Sequence, residues 1–255
     1  MKLEDLTDSA QNYLKALWAL SEWEAVAVTP SMLCEYLSLK PSSVSDQIRR
    51  LTKQGLVDHA RYGSISLTPE GRTLAVQMIR RHRLLETFLR EALDYGWDEV
   101  HDDAERLEHA VSERLLERID AKLGHPTRDP HGDVIPAADG TVPDSAAQAL
   151  TTLSAGDDFI VRRISDEDPG LLRHLEGTGV LPGTRWTLKD AGAYSGVLVL
   201  SPTAADGEAT GDESGDAASA GAGAAGSGAG AAGSGAVPLG REAAEAIRVR
   251  VRNRE

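Results

Sequence analysis

The sequence predicts a mainly α-helical protein with an N-terminal winged helix-turn-helix, a central helical domain and a small C-terminal β-barrel. Three observations support this fold class. Apolar residues recur at helical spacing through most of the first half of the chain, two short β-like runs follow the third helix, and further β-like runs occur after residue 155. We therefore expect domains over residues 1–72, 73–146 and 150–252.

The first predicted domain contains three helices and a hairpin. Residues 6–22 have apolar side chains at helical spacing. Thr29-Pro30 begins a second helix, because threonine suits the N-cap and proline the first helical position. A third helix runs from Pro41 to about Gln54, and the segment LVDHARYGSISLT then predicts two short strands. This order is typical of a winged helix-turn-helix, although any small helical domain with a hairpin would also fit.

Short polar side chains crowd the N-terminal half of the third helix, whereas Ile48 and Leu51 provide its apolar stripe. Such side chains suit base-edge and phosphate contacts in a DNA major groove. The predicted DNA-contacting residues are Lys40, Ser42, Ser43, Ser45, Asp46, Gln47, Arg49, Arg50 and Arg61. Charge adds no support, since the chain has a net charge of −13 and acids balance the lysines and arginines of residues 1–72.

Two long helices are predicted in the central domain, from Pro69 to about Leu93 and over residues 98–123, the second ending at Gly124. The apolar stripe of the second helix offers a packing surface to which a second subunit could bind. Residues 125–146 are rich in proline and glycine and predict an ordered linker.

Imidazole and carboxylate groups are expected to converge where these two helices face each other. The six residues are His82 and Glu86 on the first helix and His101, Glu105, Glu108 and His109 on the second. This mixture suits divalent first-row metals. On one helix it would usually be a solvated face, but its occurrence on two successive helices predicts a metal site. A hydrolytic enzyme also uses such groups, but the sequence contains no nucleophile motif and no phosphate-binding glycine loop.

The last predicted domain contains the β-like runs FIVRRI, TRWTLKD and GVLVL, and AIRVRVR near the C-terminus is expected to complete the barrel. Residues 203–236 interrupt it with a Gly/Ala-rich sequence that predicts a flexible loop. No stretch approaches the roughly 18–20 apolar residues of a membrane span. With no signal peptide evident and Cys34 as the single cysteine, we expect a soluble cytoplasmic protein.

Five stretches form a combination that is hard to produce by chance: PSSVSDQIRRLTKQGLVDH, LTPEGRTLA, RRHRLLETFL, EVHDDAERLEHAVS and DPHGDVIP. Through them the chain resembles the diphtheria toxin repressor family of metal-dependent repressors, closely over residues 5–146 and more loosely over 150–252. The resemblance implies a DNA-binding domain, a helical dimerisation domain that holds two metal ions, and an SH3-like C-terminal domain. It further implies a homodimer that binds operator DNA and is not an enzyme.

The resemblance also implies the ligands of the first metal site. His82, Glu86 and His101 match this site. In iron-responsive relatives the C-terminal domain adds a glutamate and a glutamine, for which Asp166 is the nearest match here. The segment ISDEDPGLL around Asp166 is shorter than in those relatives and contains no glutamine.

The second implied site uses Glu105, Glu108 and His109 together with a residue of the first helix. Asn12 stands where the family has methionine or aspartate, and Asp8, one turn earlier, is the alternative. Iron-responsive members typically have cysteine at the position of Glu105, whereas manganese transport regulators have an acid.

The resemblance therefore implies a repressor of metal-homeostasis genes that is activated by manganese, Mn(2+). A regulator that responds to iron(II), Fe(2+), is the alternative in the same class. A metallohydrolase whose winged helix serves as an interaction module is the alternative in another class.

Overall fold

The computed structural model describes residues 1–23, 27–59, 63–143, 147–189, 196–203 and 235–252. Arg61 and most of the predicted insert at 203–236 lie outside these ranges. Within them, no helix is both long enough and apolar enough to cross a membrane.

The N-terminal unit has the predicted order of helices and strands. Its elements are α1 (Asp8–Trp23), α2 (Pro30–Tyr36), α3 (Pro41–Lys53), β1 (Val57–His59) and β2 (Ile65–Leu67). The Thr29 side chain accepts a hydrogen bond from the backbone N–H of Met32, so the predicted cap of α2 is present. The two strands pair in antiparallel register, and the winged helix-turn-helix is confirmed.

The long helix α4 (Pro69–Leu93) belongs to two hydrophobic cores. Leu74 and Met78 in its first half pack with the apolar residues of α1, α2 and α3. Leu84 and Leu89 in its second half pack with the helices that follow. The predicted domain boundary between residues 72 and 73 therefore falls inside a continuous helix.

The single helix predicted over residues 98–123 is wrong. The chain forms α5 (Val100–Leu107) and α6 (Glu113–Lys122) instead. Ser112 explains the break, because its side chain caps α6 by accepting a hydrogen bond from the N–H of Leu115, and its backbone is extended. Val111 remains buried, so the apolar spacing continues across the break and concealed it.

The C-terminal unit contains an antiparallel sheet and two helices. Its elements are β3 (Gln148–Ala149), β4 (Asp158–Ile164), α7 (Pro169–Thr178), β5 (Arg185–Lys189), β6 (Val197–Pro202), β7 (Val237–Gly240), α8 (Arg241–Glu245) and β8 (Ile247–Val251). The described strands follow the order β3-β8-β4-β5-β6-β7. The predicted strands are present, whereas β3, α7, β7 and α8 were missed. α7 had a sequence signal, since Asp168 caps its start and Gly179 ends it with a φ of 77°.

The end of α1 contacts both other units. The Glu22 carboxylate lies 2.6 Å from Nη2 of Arg83 on α4 and 3.5 Å from Nη1 of Arg163 on β4. The Trp23 ring lies beside two guanidinium groups, at 3.8 Å from Arg163 and 4.6 Å from Arg248. One helix of the N-terminal unit is thus held against the central and C-terminal units at the same point.

Candidate metal centre

Four side chains from three parts of the fold converge beside α4. His82 and Glu86 lie one turn apart on α4, His101 lies on α5, and Asp166 follows β4. His82 Nε2 is 2.9 Å from Glu86 Oε1, and His101 Nδ1 is 3.3 Å from the same oxygen and 2.8 Å from Asp166 Oδ2. One ligand atom of each residue lies within 4.8 Å of the others. Two imidazoles and two carboxylates at this separation fit a divalent first-row metal.

The electrostatics of this group follow from its own contacts. Burial lowers the pKa of His82, but the carboxylates of Glu86 and Glu108 outweigh this effect and raise it to about 9. Burial likewise opposes the charge on His101, whose pKa is raised to about 11 by hydrogen bonds with Asp166 and Glu86. Burial raises the pKa of Asp166, but its hydrogen bond with His101 outweighs this effect and holds the pKa well below its ordinary value. Both imidazoles therefore favour the cationic form near neutral pH.

The four residues line a cavity of about 970 Å³. Asn12 and Trp23 of α1 and Tyr36 of α2 also line it. Two buried oxygens, Glu86 Oε2 and Asn12 Oδ1, have no hydrogen-bond partner in the described part of the chain. Because buried acceptors are normally paired, these atoms are free to bind a ligand, and the residues of the cavity fit a metal ion.

A second group of acidic side chains adjoins the first and shares His82 with it. His82 Nδ1 lies 2.6 Å from Glu108 Oε2, and one ligand atom each of His82, Glu105 and Glu108 lie within 4.8 Å of one another. Lys15 of α1 reaches the same carboxylates, since its Nζ donates to Glu108 Oε1 at 2.7 Å and also to Glu105. Burial lowers the pKa of Lys15, but the two carboxylates outweigh it and raise the pKa, so the ammonium stays charged.

The other predicted ligands are placed differently. His109 follows α5, and its Nδ1 lies 2.8 Å from Oε1 of Gln11, while its Nε2 is 3.7 Å from Glu108 Oε1. Asp8 is exposed in the first turn of α1 and is not among the residues that line the cavity. Ligand roles for His109 and Asp8 stay predictions.

Sequence reasoning missed Lys15, which it counted among the basic residues of the DNA-binding domain. A signal was present in the spacing of Asn12, Lys15, Ala19 and Trp23, which recur at three or four residues and all line the cavity. Polar residues on the buried face of a helix need partners. That spacing therefore pointed to a polar cavity beside α1.

The predicted DNA-contacting residues lie on and beside α3, whose Val44, Ile48 and Leu51 are buried in the core. The exposed ones are Lys40, Ser42, Ser43, Ser45, Asp46, Arg49 and Arg50, while Gln47 is half-buried. Arg49 Nη1 lies 3.1 Å from Asp46 Oδ1. Arg61 lies outside the described residues, so its place relative to this surface is not given.

Three segments of the chain match known domain families. Residues 5–65 match "Iron dependent repressor, N-terminal DNA binding domain", residues 68–137 match "Iron dependent repressor, metal binding and dimerisation domain", and residues 148–201 match "FeoA domain". The iron-dependent repressor IdeR of Mycobacterium leprae (strain TN) is 33% identical over 210 residues, covering 78% of this chain and 91% of that protein. The diphtheria toxin repressor of Corynebacterium efficiens is 34% identical over 193 residues, covering 71% and 83%.

The chain belongs to the diphtheria toxin repressor family. A solved structure described as "Manganese-dependent transcriptional repressor complex with manganese" is 44% identical, covers 95% of this chain and 99% of its own, and has a TM-score of 0.79. These findings confirm the resemblance and the predicted fold class. The protein is a metal-dependent transcriptional repressor of the diphtheria toxin repressor family, so the metallohydrolase alternative is wrong.

Proposed function

We propose that this member of the family is a manganese-activated repressor, which binds operator DNA of metal-homeostasis genes as a homodimer in the cytoplasm. The observation that carries the proposal is the convergence of His82, Glu86, His101 and Asp166 beside α4, a helix shared by the DNA-binding and central units. A bound divalent ion would supply the positive charge that holds these carboxylates and neutral imidazoles together.

The chemistry of the cavity favours manganese. Its described lining residues provide carboxylates, imidazoles and an amide but no thiol, because Cys34 is not one of them. Carboxylate and amide oxygens suit manganese, whereas thiolates favour softer metals. The 44% identical solved protein is called manganese-dependent, while the mycobacterial relative at 33% identity is called iron-dependent. Iron(II) is therefore the second candidate.

The same cavity has walls in the DNA-binding unit. Asn12 and Trp23 of α1 and Tyr36 of α2 line it, and α2 leads into α3 through a short turn. A change in the cavity therefore acts on the helix that we propose to contact DNA. In a dimer, two such helices fit successive major grooves only at a spacing of about 34–36 Å. The metal favours this arrangement only to the extent that it binds this arrangement more tightly than the others.

Fluorescence anisotropy with a duplex from the protein's own promoter region tests this function. The metal-free chain should bind weakly, and manganese should raise its affinity at a lower free concentration than iron(II), both measured anaerobically. His101→Ala should keep the helical circular-dichroism signal and lose the response to both ions. An affinity for DNA that no divalent ion changes would overturn the proposed function, and a lower midpoint for iron(II) would favour the second candidate.

A further inference from the structure

Asp46 stands at the centre of the exposed face of α3. The buried residues Val44, Ile48 and Leu51 fix the rotation of this helix against the core. At roughly 100° per residue, Asp46 lies about 140–160° around the helix from each of them. Its side chain is 59% exposed, and it is the only acidic residue of α3. A single negative charge therefore occupies the middle of the surface that we propose to contact DNA.

The side chains around this carboxylate leave it accessible. Ser42 lies one turn before Asp46, Arg49 and Arg50 lie one turn after it, and all of them are exposed. Arg49 Nη1 lies 3.1 Å from Asp46 Oδ1. Because both side chains of this ion pair are exposed, the pair is weak. It restricts the directions that the carboxylate takes, but it leaves the carboxylate open to a partner outside the chain.

An acid at this position lowers the affinity for every DNA sequence unless a base offsets the repulsion. Double-stranded DNA carries one negative charge for about every 1.7 Å of its axis, and these charges repel the carboxylate. Arg49 offsets only part of this effect, since the ion pair is exposed. A favourable contact therefore needs a hydrogen-bond donor, and in the major groove the donors are the amino groups of cytosine and adenine.

Cytosine fits this carboxylate better than the other three bases do. An ionised carboxylate has acceptors only, which excludes guanine and thymine, because their major-groove edges present acceptors. Adenine presents its amino group beside the N7 acceptor, which repels a carboxylate, whereas the amino group is the only polar group on the major-groove edge of cytosine. Aspartate and glutamate accordingly accept hydrogen bonds from the cytosine amino group.

We propose that Asp46 reads one cytosine in each operator half-site by accepting a hydrogen bond from its amino group. This inference rests on the proposed function, because it requires that α3 lies in the major groove of operator DNA. It adds a base that the operator contains and the residue that selects this base. The same charge makes unrelated DNA a poorer ligand, since it is repelled wherever no cytosine faces it.

Base substitution in the operator tests this inference. A duplex from the protein's own promoter region is first narrowed by footprinting to the site bound by the manganese-loaded chain. Each base pair is then replaced in turn, symmetrically in both half-sites, and the affinity is measured by fluorescence anisotropy. For the wild type, replacing one C·G pair should lower the affinity by about fivefold or more. Asp46→Ala should abolish the loss at that position alone and should raise the affinity for a duplex of unrelated sequence.

Asp46→Asn changes the chemistry of the side chain at nearly constant shape. Its amide donates as well as accepts, which suits the amino group and N7 of adenine, so the preferred base at that position should change from cytosine to adenine. Glu117→Gln is the control, since it removes the same charge from the exposed surface of α6. It should leave the preference for every base unchanged.

The same measurements separate the failure of this inference from the failure of the proposed function. Base preferences that are identical in the wild type and both Asp46 variants would overturn the inference and leave the proposed function intact. A wild-type preference for a base other than cytosine, at the position that the variants alter, would do the same. If the manganese-loaded wild type binds no duplex, both are overturned.

Discussion

His101 Nδ1 lies 2.8 Å from Oδ2 of Asp166. This contact joins α5 of the central unit to the segment after β4 of the C-terminal unit. The carboxylate is thus a contribution of the third unit to the metal centre. With a metal bound as proposed, this contact would make the C-terminal unit part of metal sensing.

We expect Asp166→Asn to weaken manganese binding, because it removes one of the two negative charges of the four-residue group. The dissociation constant measured by calorimetry should rise by about tenfold or more, comparable with the loss of a partner that orients a metal ligand. Glu117→Gln is the control, since it removes the same charge from the exposed surface of α6, away from the group. Equal affinities of the two variants would show that Asp166 is not a ligand.

Manganese binding should release protons and strengthen as the pH rises. The pKa of His82 is about 9 and that of His101 about 11, so both rings are protonated at pH 7 and must lose their protons to bind metal. Calorimetry in buffers of different ionisation enthalpy should detect up to two protons per ion at pH 7. His174→Gln, on the exposed surface of α7, should leave that number unchanged.

The same pKa values set the pH dependence of the metal-free fold. Because they lie above the ordinary histidine value, the two imidazoliums stabilise the chain fully below pH of about 6.5. This contribution is lost as the pH rises through about 9 to 11. A melting temperature of the metal-free chain that rises over this range would contradict these assignments.

Arg50→Ala should weaken binding to all DNA sequences to a similar extent. Arg50 is exposed near the end of α3, a place where arginine commonly meets phosphate. Loss of one phosphate contact should lower the slope of log affinity against log salt by about 0.9. Arg114→Ala on the exposed surface of α6 is the control. A loss of affinity limited to operators with one particular base would indicate base recognition instead.

Glu105→Cys should shift metal selectivity from manganese towards iron(II). Glu105 belongs to the group with His82 and Glu108, and a thiolate is a softer ligand than a carboxylate and favours later divalent metals. The ratio of manganese to iron(II) activation midpoints, measured anaerobically by DNA binding, should increase. Glu105→Ser removes the carboxylate without adding sulfur and should not reproduce the shift. If the ratio is the same in the cysteine variant and the wild type, residue 105 does not determine selectivity.

Replacing residues 204–234 with a six-residue Gly–Ser loop should leave metal response and DNA affinity nearly unchanged. β6 and β7 pair directly, with Leu200 opposite Val237, so a short loop can join them. Each halving of the loop length lowers the entropic cost of closing the loop by roughly 0.6 kcal/mol, so the free energy of unfolding should rise by about 1 kcal/mol. A large loss of operator affinity in the shortened chain would assign a function to the replaced segment.

Local signals in the sequence predicted those elements whose ends are set by nearby residues. Thr29 and Thr68 cap α2 and α4 through their own side chains, and both starts were predicted. The break between α5 and α6 was not, because Val111 continues the apolar spacing that suggested one helix. Helical periodicity reports which face is buried, but not whether the backbone is continuous.

The candidate metal centre was also predicted only in part, because local spacing places residues on one helix but does not give the contacts between helices. His82 with Glu86, and His101 with Glu105, are one turn apart, so their convergence follows from two helices. The contact between Lys15 and Glu108 joins residues far apart in sequence. Such pairs depend on how helices pack, so the spacing along α1 could indicate a polar cavity but not that Lys15 contacts Glu108.

The continuity of α4 limits how this repressor can be cut or recombined. At 1.5 Å per residue, its 25 residues extend for about 37 Å, and Leu74 and Leu89 are buried in different cores. A fragment that stops at residue 72 would lack the helix that covers α1, and its apolar surface would favour aggregation. Chimeras between family members should therefore exchange α4 whole, with a junction at Asp94, where the backbone turns into the left-handed region and the helix ends.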